Sequence, residues 1–181
     1  TASLFHDDVI DEARTRRGRT SANTIWGNEA SVLVGDFLYS KAFRLMTADG
    51  SLPVMTLLSA TTNLMSEGEV FQLVKCGESD LSEADYRTII ERKTAILIAA
   101  ACALGAMLGE APAERVGALR GFGLRLGAAF QMTDDTLDYV AQEAAFGKAV
   151  GKDLREGKMT LPLIHALREG SAEETERIRR A

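Results

Sequence analysis

Asp134, Asp135 and Asp138 stand at i, i+1 and i+4 in the run Phe130-Gln131-Met132-Thr133-Asp134-Asp135-Thr136-Leu137-Asp138. On a helix Asp134 and Asp138 share a face, with Asp135 about 100° round from Asp134. Carboxylates so close repel one another unless water or a cation lies between them, and Phe130, Leu137 and Tyr139 argue against full solvation. The same spacing recurs near the other end of the chain in Asp7, Asp8 and Asp11, flanked by Leu4, Phe5, Val9 and Ile10. If the two helices face each other across a cavity, six carboxylates can hold several hard divalent cations. Mg²⁺ fits best, because it takes a few carboxylates and completes its octahedron with water and phosphate. A bare acidic helix face is the plainer alternative, disfavoured because surface acids seldom come flanked by so many large apolar residues.

Basic residues gather beside both triplets: Arg14, Arg16, Arg17 and Arg19 after the first, and Lys148, Lys152, Arg155 and Lys158 after the second. Lys93 and Thr94 sit where charged sequence gives way to an apolar run, a place from which they can point into a pocket or simply close a polar face. Glu67, Glu69 and Gln72 are polar groups on an otherwise apolar segment, which suits either a cavity wall or an exposed face. No Ser-His or Cys-His pair offers a nucleophile, and His6 and His165 are given no catalytic part, although His6 could support a neighbouring carboxylate. Acids for Mg²⁺, cations for phosphate and much apolar helix surface together suit departure of a diphosphate. The metal and the basic side chains would neutralise and orient the leaving group, and an apolar chamber would shelter a carbocation from water.

The elements that must position these groups read as helices. Ala, Leu, Glu and Arg abound, only 3 prolines occur, and no strand-length alternation is sustained. The opening to Glu12 reads as the end of a helix and 13–23 as an arginine-rich connection. A helix is expected over 29–46 with Asn28 as its cap, ended by Asp49-Gly50-Ser51, and another from about Pro53 to Lys75. Ser82 and Asp85 form a capping-box variant opening a helix that carries Lys93 and Thr94 into a buried core helix over 95–108. One long helix over 114–143 carries the second triplet. The glycine-bearing, basic stretch 144–160 suggests a lid over an anionic group, followed by helical pieces over 161–168 and 171–180.

With 181 residues, 46% of them hydrophobic and 26% charged, the chain can form one globular domain. A net charge of -5 gives no electrostatic footprint for nucleic acid. The uncharged run 95–108 is too short to cross a bilayer, and Cys76 with Cys102 make no disulfide framework, which fits a reducing, cytoplasmic setting.

The run Leu4 to Asp11 followed by Thr15-Arg16-Arg17-Gly18 resembles the first aspartate-rich motif of the trans-isoprenyl diphosphate synthases (polyprenyl synthetases), and Gly127 to Gln131 leading into Asp134, Asp135 and Asp138 resembles the second. Lys93-Thr94, Gly147-Lys148 and Gly157-Lys158 with Thr160-Leu161-Pro162 fall in that family's order, so the resemblance covers nearly the whole chain. It implies an all-α fold, a helical bundle around a central apolar cavity, as a homodimer. It implies Mg²⁺, three ions per active site, on Asp7, Asp8, Asp11, Asp134, Asp135 and Asp138. Arg16, Lys93 and Lys148 would grip an allylic diphosphate with Thr94 and Gln131 beside it, and Arg17 would hold isopentenyl diphosphate. The chain is expected to be a single domain over 1–181 lacking the family's N-terminal part, with its Gly-Gly-Lys and histidine elements, and its C-terminal end. Thr20-Ser21 replaces a common Pro-Thr, and Lys152 a common acid. A class I terpene cyclase, which usually lacks a second aspartate triplet, and a non-catalytic subunit, which would favour degenerate aspartates, are the rival readings.

In this family the residues just before the first triplet wall the growing chain, and a bulky aromatic at the fifth position upstream closes the tunnel. Ala2 and Ser3 are small, and only two residues separate Asp8 from Asp11, which resembles medium- and long-chain enzymes making octaprenyl to decaprenyl diphosphates for quinone side chains rather than farnesyl or geranylgeranyl diphosphate. Ala2→Phe is therefore expected to shorten the product on chromatography; an unchanged length would count against Ala2 as a wall residue.

Overall fold

The structure is a computed structural model that describes residues 1–16, 18–78, 80–140 and 151–180. It is all-α apart from one minimal β-ribbon. Two compact units divide the chain, residues 1–55 and 56–181, and each is described by itself.

In the first unit α1 (Ala2–Ile10) carries Asp7 and Asp8, and Asp11 is its C-cap, still tied to the last turn through its N–H to Asp7 O (2.8 Å). The arginine-rich connection is more ordered than a loop. β1 (Thr15–Arg16) and β2 (Arg19–Thr20) pair antiparallel around Gly18, whose φ of 73° is the left-handed conformation a tight turn needs, and α2 (Ala22–Trp26) follows. Ser21, 2% exposed, fastens this segment by donating its hydroxyl to Ala13 O (2.5 Å). α3 (Asn28–Asp49) runs further than the expected 29–46, and Asn28 is its first helical residue rather than its cap: Gly27 occupies that position and no side chain caps the end. Gly50 closes it in the left-handed conformation, as the Asp-Gly-Ser signal suggests. α1 lies against α3 at Gly35, where an added Cβ would collide with the His6 ring.

The second unit takes up α4 (Leu52–Lys75) after its first turn, followed by α5 (Glu83–Ile90), a π-helical turn (Glu91–Ala95), α6 (Ile96–Leu108) and α7 (Ala113–Val140). Shorter pieces complete it: α8 (Lys152–Arg155), α9 (Leu161–Glu169) and α10 (Ala172–Arg180). Ser82 caps α5 as expected, accepting the Asp85 N–H at 3.0 Å. The run 95–108 is not buried all round: Ala99, Ala100, Ala103 and Ala106 face inward, whereas Leu97 and Leu108 are 46% and 71% exposed. Alanine on the inner side admits a neighbour closer than leucine would, and α7 uses that space.

α7 meets α6 through Gly123 and Gly127. A Cβ on Gly123 would stand 2.7 Å from Ala99 Cα, and one on Gly127 2.5 Å from Ala95 Cα. Four residues apart, these glycines share a face with Gln131 and Asp135, so the tightest part of the helix pair leads directly into polar groups. Beyond them a compact apolar cluster of Leu81, Tyr86, Ile89 and Ile90 packs with Phe71, Ala128, Met132, Met159, Leu161 and Ile164. Gly123→Ala is expected to lower stability by about 1–3 kcal/mol through overpacking. Gly117→Ala, on the same helix with open space where its Cβ would be, is expected to raise it by about 0.5–1 kcal/mol. Urea midpoints of the two variants check both signs.

Candidate active site

In the first unit Asp8 is 4% exposed and accepts Arg16 Nε–H at 2.6 Å, a short charge-assisted bond from β1 to α1. Its backbone oxygen also takes Asn23 Nδ2–H at 2.9 Å. Arg16 is thus brought to the first triplet as the sequence suggests. His6 does not support a triplet carboxylate. Its Nε2 lies 3.1 Å from Val32 O and 3.2 Å from Asp36 Oδ1, so it secures α1 to α3. Ala2 is half-buried and Ser3 exposed.

In the second unit four side chains form a continuous chain of hydrogen bonds. Thr94 Oγ1–H donates to Gln131 Oε1 (2.8 Å), Gln131 Nε2–H to Asp135 Oδ1 (2.7 Å), and Tyr86 Oη–H to Asp135 Oδ2 (2.7 Å). Both oxygens of Asp135, 6% exposed, therefore have protein donors. Burial pushes its carboxyl above the usual range, and the Tyr86 and Gln131 hydrogen bonds oppose that rise. Asp134 is exposed and Asp138 half-buried, so the members of the triplet occupy different environments.

The π turn fans three consecutive side chains apart. Arg92 pairs with Glu67 (3.1 Å), Lys93 donates to Glu69 Oε2 (3.0 Å) and Gln72 Oε1 (2.8 Å), and Thr94 turns to α7. Gly68 lets the turn lie close on α4, since a Cβ there would be 2.7 Å from Arg92 Cβ. Of the acidic and amide groups of α4 that composition left undecided, Glu69 and Gln72 are thus partners of Lys93, and Glu67 is a partner of Arg92.

Past the second triplet, Asp138 Oδ2 accepts the Asp153 N–H (3.0 Å) and Asp138 O accepts the Gly151 N–H (2.8 Å), which ties α8 to the end of α7. Lys158 pairs with Glu156 at 2.7 Å. Arg17, Lys148 and residues 144–150 of the proposed lid lie outside the described residues.

A family model, Polyprenyl synthetase, matches residues 1–181. The chain belongs to the polyprenyl synthetase family. It is 50% identical over 182 aligned residues to the octaprenyl diphosphate synthase of Escherichia coli K12, covering 100% of this chain and 56% of that protein. Among solved structures it matches a decaprenyl diphosphate synthase from Rhodobacter capsulatus with a TM-score of 0.92 at 44% identity, over 99% of this chain and 55% of the other. It also matches a polyprenyl synthase from Caulobacter crescentus complexed with calcium and isoprenyl diphosphate, with a TM-score of 0.87 at 42% identity, over 98% and 60% of the two chains. The chain thus spans a little over half the length of the relatives it matches.

Among the described residues no three His, Cys, Asp or Glu side chains form a ready-made ion cage. The donor chemistry of a polyprenyl synthetase's triplets still suits Mg²⁺, being all carboxylate oxygen. Asp134 and Asp138 fit as ligands; Asp135, with both oxygens engaged by the protein, fits as a support. No helix among the described residues is long and apolar enough to cross a membrane.

Two polar residues at this site carry no signal in the spacing of the triplets: Tyr86, an aromatic seven positions before Lys93, and Asp153 in the basic stretch. Burial first, then the charges of Asp138 and Asp135, push Asp153 up to about 6, against the pull of Lys158. A carboxyl raised in the folded state stabilises the fold when protonated, so this contribution is complete below 3.8 and disappears as pH rises through about 6. In EDTA the thermal midpoint should gain from this group on going from pH 7 to pH 5, and Asp153→Asn should flatten that gain. An unchanged pH slope in the variant would refute the assignment.

Proposed function

We propose that the complete protein is a Mg²⁺-dependent trans-polyprenyl diphosphate synthase, which condenses an allylic diphosphate with isopentenyl diphosphate in successive 1'-4 steps. The observation that carries this reading is the run of hydrogen bonds from Thr94 through Gln131 to Asp135 of the second aspartate triplet, with Lys93 next to Thr94 on the π turn, in a chain whose family model spans its whole length. The calcium and isoprenyl diphosphate in the Caulobacter crescentus relative support the same ligand chemistry.

In the reaction the allylic carbon–oxygen bond breaks, the isopentenyl double bond attacks the resulting cation to form the new carbon–carbon bond, and the released diphosphate accepts the proton lost from the adduct. By resemblance, Asp7 and Asp11, and likewise Asp134 and Asp138, would hold Mg²⁺, which would neutralise charge on the departing diphosphate. Arg16, Lys93 and, by resemblance, Lys148 bind and orient that group, while Arg17 takes the isopentenyl diphosphate. Lys93 is held by Glu69 and Gln72 before substrate arrives, so its ammonium enters the reaction already positioned rather than searching rotamers. Asp8 and Asp135 act from behind: each is buried and bonded to a neighbouring donor, which sets the course of the helix end bearing the outer carboxylates.

The octaprenyl and decaprenyl products in the names of two relatives favour a medium or long chain, and with the small Ala2 and Ser3 they make a C40 to C50 product the preferred reading. Exposed apolar residues on α3, Leu33 and Phe37 among them, are in keeping with a homodimer. On the complete polypeptide, incorporation of labelled isopentenyl diphosphate should require Mg²⁺ and should fall by about two orders of magnitude or more in Asp134→Ala. Incorporation indifferent to both would refute this mechanism.

A further inference from the structure

Tyr86 is 2% exposed, and every neighbour named in its cluster is apolar except at one atom: its hydroxyl, which reaches across from α5 to Asp135 on α7. A phenylalanine would fill that apolar cluster as well. The hydroxyl reaches the second triplet from α5, and it meets the buried member of that triplet. On its other oxygen Asp135 is held by Gln131, itself held by Thr94 from the π turn. The carboxylate is thus pinned directly by α5 through Tyr86 and indirectly by the π turn, through Thr94 and the α7 residue Gln131.

We propose that Tyr86 is a positioning residue for the ion and diphosphate site, acting only through Asp135. This rests on the reading of the second triplet as an Mg²⁺ site. Pinning Asp135 inward fixes the rotation of the last turns of α7, and with it the direction in which Asp134 and Asp138 present their oxygens. Without the hydroxyl, Asp135 is left buried with one donor instead of two. It then turns outward toward water or toward an ion at the outer carboxylates to regain a partner, and the outer pair loses its alignment. Partners behind a ligand shell commonly change metal affinity by about ten- to a hundredfold when removed.

The test uses the complete protein and Mn²⁺ as probe, its binding followed by electron paramagnetic resonance in the presence of inorganic diphosphate, alongside the Mg²⁺ dependence of isopentenyl incorporation and the thermal midpoint in EDTA. In Tyr86→Phe the Mn²⁺ midpoint is expected to rise about tenfold, with a matching rise in the Mg²⁺ needed for half-maximal turnover. Ile89→Ala, a lesion in the same apolar cluster that leaves Asp135 alone, is expected to lower the thermal midpoint without moving the Mn²⁺ midpoint. In an Asp135→Asn background, Tyr86→Phe should add nothing further. The proposal is overturned if Tyr86→Phe binds Mn²⁺ like the parent protein, if Ile89→Ala shifts the midpoint equally, or if Tyr86→Phe exerts its full effect on top of Asp135→Asn. Should the parent protein itself bind no Mn²⁺ with diphosphate, the metal-site reading fails, a result distinct from any of these.

Discussion

The close approach of α7 to the segment running from α5 into α6 is the constraint on which the second unit depends. Two helices at ordinary separation could not let Thr94 and Tyr86 reach Gln131 and Asp135 with direct hydrogen bonds of 2.7–2.8 Å. Gly123 and Gly127 remove the side chains that would hold the backbones apart, and alanines on the facing side accept them. What those glycines contribute is therefore distance. The helix propensity they sacrifice, roughly 1 kcal/mol each, is the cost of bringing polar groups within reach two and three turns further along.

That proximity makes a buried carboxylate tolerable. An ionised Asp135 with no donors would be strongly destabilising in such a position. With Tyr86 and Gln131 on its two oxygens it becomes a fixed point instead, and the first unit repeats the device in another form, with Asp8 buried and bonded to Arg16. In both triplets the second aspartate is the buried one, so equal spacing in the sequence corresponds to unequal work in the structure.

Most of the helices were legible because their ends carry strong local signals: Gly50 after α3, Pro53 at the start of α4, and Ser82 with Asp85 before α5. The triplets themselves stood out by their charge density in apolar surroundings. Less accessible was anything set by contacts distant in sequence. His6 looked toward its neighbouring aspartates, yet its partners are on α3 some twenty-six to thirty residues away. Tyr86 reads as an ordinary core aromatic because its hydroxyl's partner lies forty-nine positions on. Asn28 looked like a cap, but Gly27, at φ 88°, makes the turn that an asparagine side chain would have stabilised.

The π turn has a consequence for how this segment tolerates change. Inward-facing residues run 86, 90, 95, 99 and 103, with four-residue steps broken by a single step of five across Glu91–Ala95. Loss of one residue there would leave a chain still able to coil without interruption. With α5 held in place, steps of four from Ile90 would then fall on what are now Ala95, Ala99 and Ala103, so the same side stays inward; a uniform coil that lost no residue would instead turn Thr94, Ile98 and Cys102 inward. Two related chains differing by one position in this segment can thus bury the same side, one through a π turn and the other through an unbroken α-helix.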